Sequence, residues 1–273
     1  DIGLFSDVSK EVKKYLAKEI KSGDLYDYSF YVRDMNSGLW FGDRDASGFF
    51  PASLFKLPVA IAVYKQAEDD PTLLKKRVTY TKEISEQNSV DQLNAESTLV
   101  IGESYSVEEL VEKMLTVSDN GAKDLVLKAM NLAYVDKLFS VVSLLDSLTP
   151  KGYEISSRKY ALFLRILYGS SYLNEEHSEL LLGMLSKSSF KDGLVGGIPG
   201  NVPIAHKFGV YEIPGDSAIE KTGQQLHDCG VVYHPKRPYI ICFMTKGKNQ
   251  KTLFSIMAEV SRIVYESQDK EDD

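Results

Sequence analysis

Phe49-Phe50-Pro51-Ala52-Ser53-Leu54-Phe55-Lys56, continuing through the apolar run Val59 to Val63, is the stretch that decides how this chain is read. Phe49 to Ala52 deliver the backbone to a helix predicted to begin near Ser53 and to run through Tyr64. Phe49, Phe50, Leu54, Phe55, Leu57 and Val59 to Val63 make that helix apolar on nearly every side, the pattern of a central, buried helix. Residues three apart share a helix face, so Lys56 is carried to the Ser53 hydroxyl by geometry alone. Ser-x-x-Lys in isolation means little, because a serine cap followed by a solvated lysine is its commoner use. A lysine in the first turn of a buried helix is different: it needs a partner or a function.

Two later motifs supply candidates. Ser118-Asp119-Asn120 falls between two helical segments. All three residues are good caps for the helix starting at Gly121; the functional reading makes Ser118 a proton shuttle to a leaving group and Asn120 an amide contact to substrate, with Asp119 turned away to support the loop. The third motif, Lys-x-Gly, occurs twice. Lys221-Thr222-Gly223 follows the turn Pro214-Gly215-Asp216-Ser217 and only a very short extended stretch. Lys207-Phe208-Gly209 ends the alternating run from Val202 and can continue as a strand through Val210, so it is preferred.

The chemistry these residues suit is acyl transfer. A serine hydroxyl is a poor nucleophile at neutral pH and needs a base beside it. Lys56 can be that base only if part of it is neutral, which requires desolvation or a nearby positive charge such as Lys207. At the first turn of a helix the Ser53 N–H points outward, where it can serve as one oxyanion donor. Gly209 would let substrate approach the backbone, and Val210 N–H would complete the oxyanion hole.

Along the rest of the chain, Ser6-Asp7 is predicted to cap a first helix, with Val8, Val12, Tyr15, Leu16 and Ile20 on one face. Tyr28 to Met35 and Leu39 to Gly42 read as strands around an Asn36-Ser37-Gly38 turn. The middle reads as helix after helix, one opened by the capping box Ser106-Val107-Glu108-Glu109. After Gly196-Gly197 the pattern returns to strands, at Val202–Lys207, Cys229–Tyr233 and Tyr239–Thr245, before a closing helix Leu253–Tyr265. This predicts an α+β fold. Residues 1–52 and 195–273 would form a lobe with one antiparallel sheet flanked by the terminal helices, residues 53–194 an inserted all-helical lobe, with the active site at their interface.

Composition narrows the function further. The 273 residues are 43% hydrophobic and 26% charged, ordinary for a globular chain with a sizeable core. A net charge of −7 offers no basic surface to nucleic acid or anionic lipid. No apolar run approaches the ~18 residues of a membrane span. Four histidines and two cysteines show no metal-ligand spacing, so no metal or cofactor is expected. Cys229 and Cys242 read most simply as buried thiols on neighbouring strands, a disulfide being possible. Beginning at Asp1, the chain reads as a mature or trimmed form.

Taken in order, the three motifs are the signature set of serine enzymes that react with penicillins. The chain resembles the penicillin-recognising serine enzymes, specifically the class A β-lactamase-like branch. The resemblance runs from the strand Tyr28–Asp34 through Pro51–Lys56, Thr116–Gly121 and Ile204–Gly209 to His227-Asp228-Cys229-Gly230-Val231-Val232-Tyr233. It implies an α/β lobe plus an all-α lobe, an acyl-enzyme on Ser53, and β-lactam or D-Ala-D-Ala-type peptidoglycan stem-peptide substrates. It also implies an extracytoplasmic location, and a monomer is expected. Two departures stand out. The Glu-x-x-Leu-Asn loop that activates the deacylating water in class A enzymes is missing between Asn120 and Lys207, where Glu154 lacks the flanking pattern. Phe208 stands where that branch has a small hydroxyl residue that bonds a substrate carboxylate. Both argue against an efficient β-lactamase and leave a second expectation, a cell-envelope binding or sensing module with little turnover.

Overall fold

The computed structural model of the chain describes residues 2–85, 97–142, 148–149, 152–213 and 223–269. In chain order it opens with α1 (Ile2–Ser22), β1 (Leu25–Asp34) and β2 (Trp40–Asp43). A 3-10 turn, Ala52–Phe55, leads directly into α2 (Lys56–Asp69). Then come β3 (Arg77–Thr79), β4 (Ser104–Ser106), α3 (Val107–Thr116), α4 (Asn120–Ala129) and α5 (Ala133–Val141). β5 (Leu148–Thr149), β6 (Gly152–Tyr153), α6 (Ser157–Tyr168) and α7 (Glu175–Ser186) follow. The chain closes with β7 (Ile204–Ile213), β8 (Gly223–Val232), β9 (Tyr239–Gly247) and α8 (Gln250–Ser267).

Contacts divide the chain into two compact units. The first, Asp1–Leu54, Ser147–Arg165 and Phe190–Asp273, holds an antiparallel sheet in the order β2-β1-β9-β8-β7. Alternation along the strands sends Phe30, Val32, Leu226, Ile241 and Phe243 to one face, where they pack with Val12 and Leu16 of α1 and Met257 and Val260 of α8. Each such side chain, fully buried, contributes about 1.5–3 kcal/mol of hydrophobic stabilisation. The sequence placed all of 53–194 in the helical lobe, whereas Ser147–Arg165 groups with the sheet. There Phe49 and Ile155 exchange two backbone hydrogen bonds of 2.9 Å, and the Ser157 N–H donates to Ser29 Oγ at 3.1 Å.

The second unit, Phe55–Asp146 and Ile166–Ser189, is mainly helical. α2 is buried along almost its whole length, as its all-round apolarity requires. The capping box of α3 forms as read, with Glu109 N–H donating to Ser106 Oγ (3.1 Å) and Ser106 N–H to Glu109 Oε2 (2.6 Å).

The α+β class with an antiparallel sheet and flanking terminal helices is therefore the observed one. Local boundaries differ. Ser6 and Asp7 lie inside α1 instead of capping it, Ser53 sits in a 3-10 turn ahead of α2, and the short ladders β3–β4 and β5–β6 interrupt the expected run of helices. Cys229 and Cys242 form a disulfide and are not two thiols, because the β8–β9 register makes them direct cross-strand partners with Cα atoms 4.0 Å apart. No described helix is long and apolar enough to cross a membrane.

Close packing of the 3-10 turn Val195–Gly197 against α8 gives a sharp test. A Cβ on Gly197 would lie 2.0 Å from the Ala258 carbonyl oxygen, whereas one on Gly196 meets only the Ala258 Cβ at 3.3 Å. Gly197→Ala is expected to cost about 2–3 kcal/mol and Gly196→Ala less than about 1 kcal/mol in urea unfolding; equal midpoints for the two variants would refute this packing.

Candidate active site

Ser53 is half-buried in a turn whose backbone is held from several sides. Ala52, immediately before it, has φ 49°, a left-handed conformation that side-chain-bearing residues adopt only where their surroundings impose it. Leu54 N–H donates to the Pro51 carbonyl (3.0 Å), and the Tyr160 hydroxyl donates to the Leu54 carbonyl (3.1 Å). His227 Nε2 meets the Phe50 carbonyl at 3.0 Å. The backbone of β7 passes close beside this turn: a Cβ on Gly209 would lie 3.1 Å from Ser53 N, 3.2 Å from Leu54 N and 3.0 Å from the Pro51 oxygen. Glycine is what the approach permits, and the Ser53 and Val210 backbones are the candidate oxyanion donors predicted from sequence.

One residue beyond this turn begins α2 with Lys56, a lysine only 2% exposed. Its amine donates to the Ser118 carbonyl, to Ser118 Oγ at 3.0 Å and to Asn120 Oδ1 at 2.5 Å. The structure thus brings together Lys56, Ser118 and Asn120 from two of the three motifs. Ser118 also has a positive φ, 58°, which turns its carbonyl and hydroxyl toward the same amine. Asp119 turns elsewhere: it caps α4 by accepting from Ala122 N–H (2.8 Å) and accepts from the Thr98 N–H (2.5 Å) and Ser97 hydroxyl (2.9 Å). A buried amine whose partners include a hydroxyl can pass a proton either way, since Ser118 Oγ both donates and accepts.

Lys207 lies on β7, the outer strand of the sheet, and is fully buried. Its amine donates to the Phe208 carbonyl at 3.0 Å and sits 4.2 Å from the centroid of the Phe208 ring. Burial pushes its pKa down to about 7, with the Asp228 carboxylate acting in the opposite direction. The Phe208 ring is itself stacked on Phe190, with centroids 4.2 Å apart and planes 18° off parallel. Next to Lys207 in sequence, His206 Nδ1 contacts Asp228 Oδ1 at 2.8 Å, both side chains being buried, and Asp228 Oδ2 accepts from Leu194 N–H.

Of the competing third motif, Lys221 and Thr222 lie outside the described residues, while Gly223 opens β8. Glu154 follows β6 and packs against the backbone of Gly48, whose Cβ would lie 3.0 Å from its Oε2. Among the described residues no cluster of His, Cys, Asp or Glu suits a metal ion. The sequence reading gave no role to Tyr160, to His227 or to the His206–Asp228 pair, although the last three lie in stretches that carry the resemblance. A histidine followed by an aspartate, leading into the apolar half of β8 where both are buried, was the available signal.

The family model described as the beta-lactamase enzyme family matches residues 8–268. No curated protein matches the chain in sequence. Solved structures similar to it include a single-site mutant of PBP-A described as an acyl-enzyme complex with penicillin-G, at 20% identity over 96% of both chains and TM-score 0.79. A beta-lactamase from Chitinophaga pinensis DSM 2588 is similar at 17% identity, over 96% of this chain and 99% of that one, with TM-score 0.81. A variant of the class A beta-lactamase of the last common ancestor of Gram-negative bacteria follows at 22% identity, 96% and 98% coverage and TM-score 0.76. At such identities the likeness to these structures is one of fold. The family match spans nearly the whole chain, and the chain belongs to the beta-lactamase enzyme family, a beta-lactamase-like serine hydrolase by family and fold.

Proposed function

We propose that this protein is a serine acyl hydrolase or transferase that forms an acyl-enzyme on Ser53 with β-lactams or D-Ala-D-Ala-like peptides. The observation that carries the reading is the buried Lys56 amine, one turn after Ser53 and hydrogen-bonded to Ser118 and Asn120. So enclosed a lysine is costly unless its protons have work to do or acceptors to meet. Ser53 Oγ attacks the amide carbonyl while Lys56 takes its proton, and the Ser53 and Val210 N–H groups stabilise the oxyanion. The carbon–nitrogen bond then breaks, and Ser118 with Lys207 returns a proton to the leaving nitrogen. The close pass of Gly209 to Ser53 N supports the oxyanion assignment. The acyl-enzyme in the PBP-A mutant, a protein of similar fold, supports the covalent step.

Deacylation is proposed to be slow, as in a penicillin-binding D,D-peptidase, because the class A glutamate motif is missing. The aromatic stack of Phe208 on Phe190 favours the second reading, an envelope binding or sensing module on the same fold, since it puts a ring where a hydroxyl would hold substrate. An extracytoplasmic monomer is the setting proposed for either.

Incubation with a fluorescent penicillin, followed by intact mass, tests the proposal. A lasting adduct is expected on Ser53 and none on Ser53→Ala; equal labelling of that variant would sink the assignment. Lys56→Ala should slow acylation by roughly 10²–10⁴, and a rate within about twofold of the parent would remove Lys56 from the base role. No adduct on the folded parent protein would favour the binding module.

Lys207 generates a pH test. Its proton leaves as pH rises through about 7, so if the ammonium form returns the proton, acylation falls above that pH. Lys207→Arg keeps its charge throughout but cannot give up its proton, so it should slow acylation at every pH and show no alkaline break near 7. A profile with the same alkaline break in both proteins would exclude Lys207 as its source.

A further inference from the structure

We infer that His227 is a positioning residue for the Ser53 reaction: its ring holds the Phe50 carbonyl and thereby fixes the strained turn that presents the serine. The inference rests on the reading of Ser53 as nucleophile.

The ring's contacts with Thr245 and Phe50 agree on one tautomer. Thr245 N–H, on β9, donates to His227 Nδ1 at 3.2 Å, so Nδ1 accepts and the proton sits on Nε2. From there it is shared between the Phe50 carbonyl at 3.0 Å and the Gln225 side-chain carbonyl at 3.2 Å. The ring is fully buried and packs edge-on against Phe49, with centroids 5.5 Å apart. Burial pushes its pKa down to about 4, despite hydrogen bonds to backbone that raise it, so this neutral tautomer persists through the physiological range.

Register makes this contact more than packing. His227 is the cross-strand partner of Gly209. On β7, Gly209 removes the side chain that would strike Pro51, Ser53 and Leu54; on β8, its partner reaches the Phe50 carbonyl and ties the same turn down. Together the pair sets how far the Ser53 N–H stands from the β7 backbone. Phe49 is already fixed by its two hydrogen bonds to Ile155, and Leu54 by Tyr160. Between those anchors Ala52 is held at φ 49°, and the His227 bond falls two residues before it. A left-handed alanine relaxes when its surroundings loosen, and Ser53 would move with it.

The test compares the wild-type protein with His227→Phe, which keeps a ring without the N–H, and His227→Gln, whose amide can reach the same carbonyl. Saturable acylation by a fluorescent penicillin separates binding from the chemical step, and deuterium exchange follows the peptide covering 49–55. His227→Phe is expected to slow the chemical step by about 10–100-fold, as a displacement near 1 Å does, with the preceding binding constant within about twofold. Exchange across 49–55 should quicken, and His227→Gln should restore most of both. A folded His227→Phe with unchanged acylation and exchange would overturn the inference, as would equal impairment in both variants, which marks packing alone. Should His227→Phe not fold, the ¹⁵N spectrum of the wild-type ring decides: an Nε2-protonated tautomer supports the inference and an Nδ1-protonated one overturns it. Should the wild-type protein take no penicillin, the acyl-enzyme reading fails by itself, and the exchange response still decides whether His227 holds the turn.

Discussion

The desolvated amine of Lys56 is the constraint on which the site depends. It sits at the head of a helix whose first turns are buried and apolar, where an amine without acceptors would cost several kcal/mol. Satisfying it requires two carbonyl oxygens and a hydroxyl from the Ser118–Asn120 loop, and that demand shapes the loop. Ser118 accepts a positive φ to turn toward the amine, while Asp119 spends its carboxylate on α4 and on Ser97 and Thr98. A polar network of this kind is stable only when its members are satisfied together.

The sheet imposes a second constraint of a different kind, one of clearance. β7 passes so close to the Ser53 turn that a side chain at position 209 would be tightly packed against it, and the strand beside it supplies the histidine that ties the turn down. The same strand carries Lys207 into full burial, where desolvation brings its pKa near neutrality. A lysine in that state can gain or lose a proton at little cost, unlike one in water. Phe208 and Phe190 add an aromatic surface beside it.

Much of this was legible in the residues. The all-round apolarity of α2, the capping box at Ser106 and Glu109, the alternation along β7 and the ordered motifs at Ser53, Ser118 and Lys207 are local patterns, written in residues a few positions apart. Helix starts were less legible: Ser6-Asp7 looks like a cap yet lies within α1, because propensity alone does not say where a helix that packs on a sheet begins. The pairing of Cys229 with Cys242 was not legible either, since two strand-like runs do not reveal their register.

By itself, then, the sequence determined the fold class and offered Ser53 and Lys56 as candidates, since helical and strand periodicity are local patterns that need no help from the rest of the chain. Only the tertiary structure decided what holds those groups in place. Phe50 and His227 are 177 positions apart, and Lys56 and Ser118 are 62. Their meeting is set by strand register and helix packing, which depend on every residue between them and are encoded in no single stretch.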